Sequence, residues 1–304
     1  MVGGSKLDPS TRAVFPVEGV WPKITVITPV MNSAHYLEQA MVSVLSQGYP
    51  NLEYFVVDGR STDGSVEIIR KYESQLAGWV SEPDNGMYDA LNKGFARTSG
   101  EIMGWISATD VLHLGALFVA GSVFNAFPQV EWITGRPTSL SNEGMAIRVG
   151  RLRRWSRVRF LAGANQSIQQ ESTFWRRTLW ERAGGHTDAS RREGGDFELW
   201  VRFFRHAKLY SVDALIGAFR DHPDSLGALH GEAIRRIHEE VIEREVQSGP
   251  SRGVRLFRAV SKPMLRTPVL DSLWKHLVMS PLLRWPGPDH APVIRYRRNR
   301  WTMD

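Results

Sequence analysis

With 304 residues, 42% of them hydrophobic, the chain is long enough for one large α/β domain, with or without an appendage, around a packed core. It has no cysteine, which excludes disulfides and thiolate metal sites and fits a reducing cytoplasm. The net charge of +6 is unevenly spread: residues 251–304 hold 11 Lys and Arg against 3 Asp, leaving −2 for the remainder. The basic character belongs to the tail, where it suits an anionic lipid, a lipid-linked phosphate or nucleic acid, with a merely solvated tail as the alternative.

Residues 1–22 contain no apolar run long enough for a signal peptide and are expected to form a loosely attached arm on a cytosolic protein. Lys23 to Pro29, KITVITP, is β-branched and apolar and reads as a buried first strand. A helix over Ala34 to Gln47 follows, with Leu37, Met41, Val44 and Leu45 on one face, stopped at Gly48-Tyr49-Pro50. Asn51 to Asp58, NLEYFVVD, is the second strand, and Ser65 to about Leu76 the second helix. This rhythm of strand and helix predicts a parallel sheet built from βαβ units.

Ser81 to Asp110 concentrates the chemistry. An acidic loop, SEPDNG, leads into a helix pattern, MYDALNKGFART, and then an apolar strand, IMGWIS, that delivers Asp110 at its carboxyl end. In open α/β sheets ligands sit outside the carboxyl ends of the strands, so Asp110 is a candidate ligand for a metal or a sugar hydroxyl. Asp89 and Lys93 are four apart, either a surface helix pair or a carboxylate and a cation near a diphosphate. The uncharged run from Val111 to Val130 reaches the length of a membrane span, but its polar residues and one-sided apolar spacing favour a core helix.

A strand is expected at Val130 to Gly135, and irregular chain through Arg148. RLRRWSRVRF follows, five arginines with Trp155 and Phe160 among them: a loop for an anionic acceptor, with Arg153, Arg154 and Trp155 as contacts, or a solvated basic loop. Gln169 begins an element that runs into a helix closed by Gly184-Gly185. Leu209 to Phe219 reads as a late strand, and Gly231 to Gln247 as a charged helix with an apolar stripe of Ile234, Ile237, Val241 and Ile242. Near the end, Leu273, Trp274, Leu277 and Val278, then Pro281 to Trp285 and RYRRNRW, suit a membrane interface or packing on the main domain. No G-x-G-x-x-G or G-x-x-x-x-G-K-[ST] loop follows a strand, so a bound nucleotide would be held by carboxylates and a metal rather than by a glycine cradle.

The order of these motifs resembles family 2 glycosyltransferases of the GT-A fold. Thr28-Pro29-x-x-Asn32 follows the first strand, Asp58-x-x-Ser61-x-Asp63-Gly64 the second, and Asp84-x-Gly86-x-x-Asp89-Ala90-x-Asn92-x-Gly94 precedes the strand ending in Thr109-Asp110. Phe174-x-Arg176-Arg177, the Gly-Gly stop and Asp196-x-Glu198-Leu199-Trp200 come later. The family usually ends the third of these strands with two carboxylates, and Thr109 stands in place of one. Arg154-Trp155 resembles part of the Q-x-x-R-W motif of processive synthases, but residue 151 is Arg and the pair precedes the D-x-E-L-W motif instead of following it, which argues against a processive synthase.

The resemblance implies a GT-A domain over 23–225, a mostly parallel sheet flanked by helices, with a helical and basic C-terminal extension over 226–304. It implies an inverting, metal-assisted transfer of sugar from a UDP-, GDP- or dTDP-sugar to a hydroxyl of a glycan or lipid-linked glycan. Thr28, Pro29, Asn32, Asp58 and Thr109 would face the nucleotide, Asp84, Asp89 and Lys93 the donor, and Asp110 with His222 a Mn²⁺ or Mg²⁺ ion. Asp196 would be the general base. For Asp63 a helix-capping role is favoured, and for Glu198 a pair with Arg202. The expected location is cytoplasmic, with peripheral contact at the inner face of the plasma membrane through the tail and no nucleic-acid partner. The alternatives are a non-catalytic nucleotide-sugar or glycan binding module, and a sugar nucleotidyltransferase.

Overall fold

The computed structural model describes residues 20–161, 167–223, 226–248 and 290–304. The first half follows the predicted rhythm: β1 (Ile24–Val30), α1 (Ala34–Leu45), β2 (Leu52–Asp58), α2 (Ser65–Tyr72), β3 (Gly78–Ser81), α3 (Met87–Ala96) and β4 (Ile102–Trp105). β1 lies between β2 and β4, and all of β1, β2, β3 and β4 run parallel. Their carboxyl ends therefore share one edge of the sheet.

Side chains alternate between the two faces of these strands. Ile24, Val26 and Val30 of β1 and Tyr54 and Val56 of β2 join one core with Leu37, Met41 and Val44 of α1 and Ile69 of α2. Ile27, Phe55 and Val57 join the other with Tyr88, Leu91 and Phe95 of α3. Both faces are covered, which is why the strands read as continuous apolar runs.

The predicted core helix begins later than its uncharged run. Val111–Leu112 form a short strand, β5, and α4 (Ala116–Ala126) buries Leu117, Phe118, Val123 and Phe124 against the α1 side of the sheet. Among the described residues no helix is long and apolar enough to cross a membrane.

Beyond α4 the chain departs from expectation. β6 (Trp132–Thr134) was expected, but the segment taken as irregular contains a hairpin, β7 (Thr138–Leu140) and β8 (Ala146–Val149). A short helix, α5 (Arg157–Leu161), precedes β9 (Thr173–Arg176), which inserts antiparallel between β4 and β6 before α6 (Arg177–Arg182). Gly184 and Gly185 close α6 at positive φ, as predicted. α7 (Gly195–His206) and β10 (Leu209–Val212) follow, and the expected late strand proves to be two, because β11 (Gly217–Arg220) leaves the main sheet to pair with β5 and β7. α8 (Leu226–Ser248) buries Val241, Ile242 and Val246 beside α7.

Residues 290–304, expected in a C-terminal extension, instead supply β12 (Val293–Arg297) and β13 (Arg300–Met303). β12 pairs parallel with β10, so the RYRRNRW segment completes the nine-stranded sheet in the order β13-β12-β10-β6-β9-β4-β1-β2-β3. Arg295 is held by Asp213 and Asp304. The arm at residues 1–19 and the patch from Leu273 to Trp285 lie outside the described residues. Trp21, expected in that arm, packs edge-on against Tyr49 and Phe118.

Glu53 staples β1, β2 and the turn before β4. It accepts from Lys23 Nζ (2.5 Å), Thr25 Oγ1 (2.6 Å) and the N–H groups of Ser99 (2.7 Å) and Gly100 (2.9 Å). Burial pushes its carboxyl up, but those four donors outweigh it and hold it at about 2. A depressed carboxyl stabilises the fold above its unfolded pKa and loses that contribution as pH falls through the folded one. Thermal unfolding of the wild type is therefore expected to weaken between about pH 5 and pH 2, with Glu53→Gln costing about 2 kcal/mol at neutral pH and flattening the decline. An equally steep acid decline in the variant would assign the loss elsewhere.

Candidate active site

Asp58 is the last residue of β2 and has no exposed surface. Its carboxylate accepts from Ser81 Oγ (2.6 Å) at the end of β3 and from the Ser61 N–H (3.1 Å). Gly59 has no side chain because Asp84 lies on it: a Cβ there would sit 2.5 Å from Asp84 Oδ2. Asp84 in turn accepts from the Gly86 N–H (2.9 Å), which shapes the turn into α3. Asn32, at φ 47°, clasps the same region, its N–H donating to Ser61 Oγ and its Oδ1 accepting from the Thr62 N–H. Asp63 accepts from the Ala34 N–H (2.8 Å) and from Ser65, capping the start of α1 as well as that of α2.

Several expected donor contacts have local partners. Thr28 is fully buried with its hydroxyl 2.9 Å from Tyr54 Oη, and Pro29 is buried in β1. A strand-interior hydroxyl that points into the α1-side core does not face the crevice, so Thr28 acts through packing. Asp89 and Lys93 form the i,i+4 pair (3.2 Å), and both hold the preceding loop: Asp89 accepts from the Asn85 N–H and Lys93 Nζ donates to Pro83 O (2.6 Å). Asn92 makes a two-way amide contact with Thr187.

Asp110 lies five residues past β4, just before β5, and is 2% exposed. Its Oδ1 accepts from the Arg220 N–H (2.9 Å) and its Oδ2 is 3.4 Å from Gln170 Nε2. Burial raises its carboxyl to about 7 against the pull of these donors. Next to it Glu171 is buried, its Oε1 has no hydrogen-bond partner among the described residues, and burial together with the charges of Asp110 and Asp196 pushes it well above the carboxylate range. Gly217 is packed against the same segment, where a Cβ would meet Glu171 O at 2.1 Å.

Asp196 sits in the first turn of α7. Gly194 supplies the left-handed residue before the helix (φ 69°), and Gly195 admits the Tyr88 ring, which a Cβ would meet at 2.8 Å. Tyr88 Oη donates to Asp196 Oδ1 (3.1 Å). Behind this turn the helix is anchored by Trp200, stacked on Trp105 at 5.7 Å, and by Phe197, stacked on His238 at 3.8 Å. Glu198 pairs with Arg202, as expected.

The charges of both Asp110 and Asp196 act on Glu171, which sequence reasoning passed over although it lies in the Gln169-Gln170-Glu171 run. Arg220 was also missed, its segment having been read for His222. Its buried guanidinium donates to Thr109 O (2.7 Å), Asn142 O (2.8 Å) and Gln39 Oε1 (2.5 Å), and lies over the Tyr36 ring. His222 stands against Tyr36 at 5.3 Å between ring centres. No cluster of three or more His, Asp or Glu that could hold a metal occurs among the described residues. Of the acceptor candidates, Trp155 is corrected: it is 4% exposed within the core that contains Trp200 and Phe204, so the indole packs and does not present a surface. Arg154 is exposed and donates to Asp304 O (3.3 Å), and Arg153 is half-buried.

Residues 25–117, which carry β1 to the start of α4, match the model of the family described as glycosyl transferase family 2. Over that segment the chain is similar to this family of glycosyltransferases. An uncharacterized glycosyltransferase of Mycobacterium tuberculosis is 34% identical over 173 residues, covering 54% of this chain and 63% of that one, so this chain spans less than two thirds of the length of that relative. A Bacillus subtilis glycosyltransferase named for teichuronic acid biosynthesis is 34% identical over 92 residues, 29% of this chain and 36% of that one. The fold matches S. aureus TarS 1–349 in complex with UDP-GlcNAc, with TM-score 0.64, 14% identity and coverage of 86% of this chain and 78% of that one. It also matches the mannosyltransferase PcManGT of Pyrobaculum calidifontis in complex with GDP-Man and Mn²⁺, at TM-score 0.50, 19% identity and coverage of 84% and 83%. The fold is therefore that of the GT-A glycosyltransferase structures, with Asp58, Asp84 and Asp110 following the carboxyl ends of β2, β3 and β4.

Proposed function

We propose that this glycosyltransferase moves a sugar, with inversion, from a nucleoside-diphosphate sugar to a hydroxyl of a glycan or lipid-linked glycan. What supports the reading is Glu171, a buried carboxyl that feels the charges of both Asp110 and Asp196. Asp58, Asn32 and Asp84 form the nucleotide and donor side of the crevice. TarS and PcManGT, which share the fold, are seen with UDP-GlcNAc and with GDP-Man, and these support a nucleotide-sugar donor.

Asp196 takes the proton of the acceptor hydroxyl as that oxygen attacks the anomeric carbon and the bond to the diphosphate breaks. Tyr88, donating to one carboxylate oxygen, leaves the other to accept. One displacement with one base inverts the anomeric centre. The residues present fit a divalent cation: two buried carboxyls driven towards protonation, one with an orphaned oxygen, are the groups that such an ion would relieve. Asp110 and Glu171 would hold it, the donor phosphates completing the shell as is usual for Mg²⁺ sites, and it would neutralise charge on the departing nucleotide.

Calorimetric titration with UDP, GDP and dTDP, each with and without Mn²⁺, tests this. One nucleotide is expected to bind, more tightly with the metal, and to lose that gain in Asp110→Ala. Binding indifferent to both metal and Asp110 would refute the metal-assisted mechanism, and no binding at all would favour a glycan-binding module.

A further inference from the structure

Tyr88 and Asp196 are 108 residues apart in the chain, and a second set of contacts fixes where they meet. Thr187, in the loop between α6 and α7, has no exposed surface and turns its backbone groups and its hydroxyl onto α3. Its N–H donates to Asn92 Oδ1 (2.8 Å), its carbonyl accepts from Asn92 Nδ2 (2.9 Å), and its hydroxyl donates to Tyr88 O (2.8 Å) while standing 2.9 Å from Asn92 Oδ1. Tyr88 and Asn92 are four residues apart and share a face of the helix, so Thr187 grips one turn of α3 from the side.

The residue before Thr187 is tied to α7. Arg202, buried and paired with Glu198, donates to His186 O (2.7 Å) and to Ala183 O. The contacts close on themselves: Arg202 and Asp196 share α7, Arg202 holds His186, Thr187 holds Tyr88 and Asn92, and the Tyr88 hydroxyl returns to Asp196. Gly195 leaves no slack in this circuit, since a Cβ there would meet the Tyr88 ring at 2.8 Å. An O–H···O bond is ordinarily no longer than about 3.0 Å, so at 3.1 Å this one stands at its limit, and a small slide of α3 against α7 would lose the phenol from the carboxylate.

We infer that Thr187 is a positioning residue: with Asn92 it sets α3 against α7 so that the Tyr88 hydroxyl meets one oxygen of Asp196 and leaves the other for the attacking hydroxyl. This role rests on the reading of Asp196 as the base and names the residues that hold the base in place. Thr187 itself touches no substrate.

Water is the acceptor in the test. Release of nucleoside diphosphate from UDP-GlcNAc, GDP-Man or dTDP-glucose, chosen by which nucleotide binds, is followed with protein in excess over donor. The oxygen of water attacks the anomeric carbon, its proton passes to Asp196 and the bond to the diphosphate breaks, so the rate reports the base. Thr187→Val keeps the shape of the side chain without its hydroxyl, and is expected to slow release about fivefold, as one lost hydrogen bond does, with nucleotide affinity within about twofold. Thr187→Ser restores the hydroxyl and is expected to recover the rate. In Tyr88→Phe the same valine is expected to cost less than about twofold, because residues that act through one contact are non-additive. Asn92→Asp, which keeps the acceptor but not the donor to Thr187 O, repeats the comparison from the helix side and takes the place of valine if that variant binds nucleotide poorly. A cost in Tyr88→Phe as large as in wild type overturns the inference by showing a purely structural contribution, and so does a rate unmoved by either substitution or not recovered by serine. Release as fast in Asp196→Asn as in wild type fails the base reading itself, whereas a loss there with none in Thr187→Val overturns the positioning role alone.

Discussion

Asp196→Asn is expected to lower sugar transfer by about 10²- to 10⁴-fold while leaving nucleotide affinity within a factor of about two. The amide keeps the size of the side chain and can still accept from Tyr88, so the loss isolates the proton acceptor from the geometry around it. Single-turnover transfer with the donor saturating is the measurement, because it separates the chemical step from product release. Transfer within a few-fold of wild type would remove Asp196 from the chemistry. Tyr88→Phe provides the companion result: it deletes only the donor that orients the carboxylate, and a loss about tenfold is expected, in the turnover rate and not in nucleotide affinity.

Arg220→Ala is expected to destabilise the fold by about 3 kcal/mol or more, the largest cost among the substitutions considered. The guanidinium satisfies Thr109 O, Asn142 O and Gln39 Oε1 from a fully buried position, and alanine would leave these acceptors without it. Because its own N–H is bonded to Asp110, any shift of β11 also moves the carboxylate proposed for the metal. Arg220→Lys keeps the charge but cannot fork to acceptors on three segments, so an intermediate stability is expected. Denaturant unfolding of the three proteins, combined with nucleotide titration in Mn²⁺, checks both effects. Stability unmoved by alanine would show that the guanidinium does not clamp the site.

The parts of the fold that could be read from sequence are those whose signal is local. The buried stripe of α1 and the β-branched runs of β1 and β2 carry their own periodicity, and both were placed within a residue or two of where they lie. The Gly184-Gly185 stop and the Asp63 cap are likewise set by neighbouring backbone. β7 and β8 gave no such signal. They are three and four residues long, and their pairing depends on β11, some 80 residues further on. β9 was read as part of the helix that follows it, because nothing in TFWR says that it will slide antiparallel between β4 and β6. The basic end of the chain reads equally as a membrane interface or as packing on the main domain, and four residue pairs join β12 to β13 there, with β12 beside β10.

The same division runs through the site. Motif order puts forward Asp58, Asp84, Asp110 and Asp196 as candidates, and the structure sets Asp58 at the end of β2, Asp196 in the first turn of α7 and Asp110 five residues past β4. Trp155 could not be told from an acceptor contact, because an indole among arginines looks the same whether it faces the cleft or the core. Glu171 and Arg220 gain their meaning only when segments 50 to 180 residues apart close around them. By itself, the sequence determined the order of strand and helix and which acidic residues end the strands, because periodicity and turn chemistry act over a few residues. The tertiary structure alone decided which carboxyls are buried within reach of each other's charge and which cation clamps the segment, because desolvation and Coulomb interaction depend on distance in space and not along the chain.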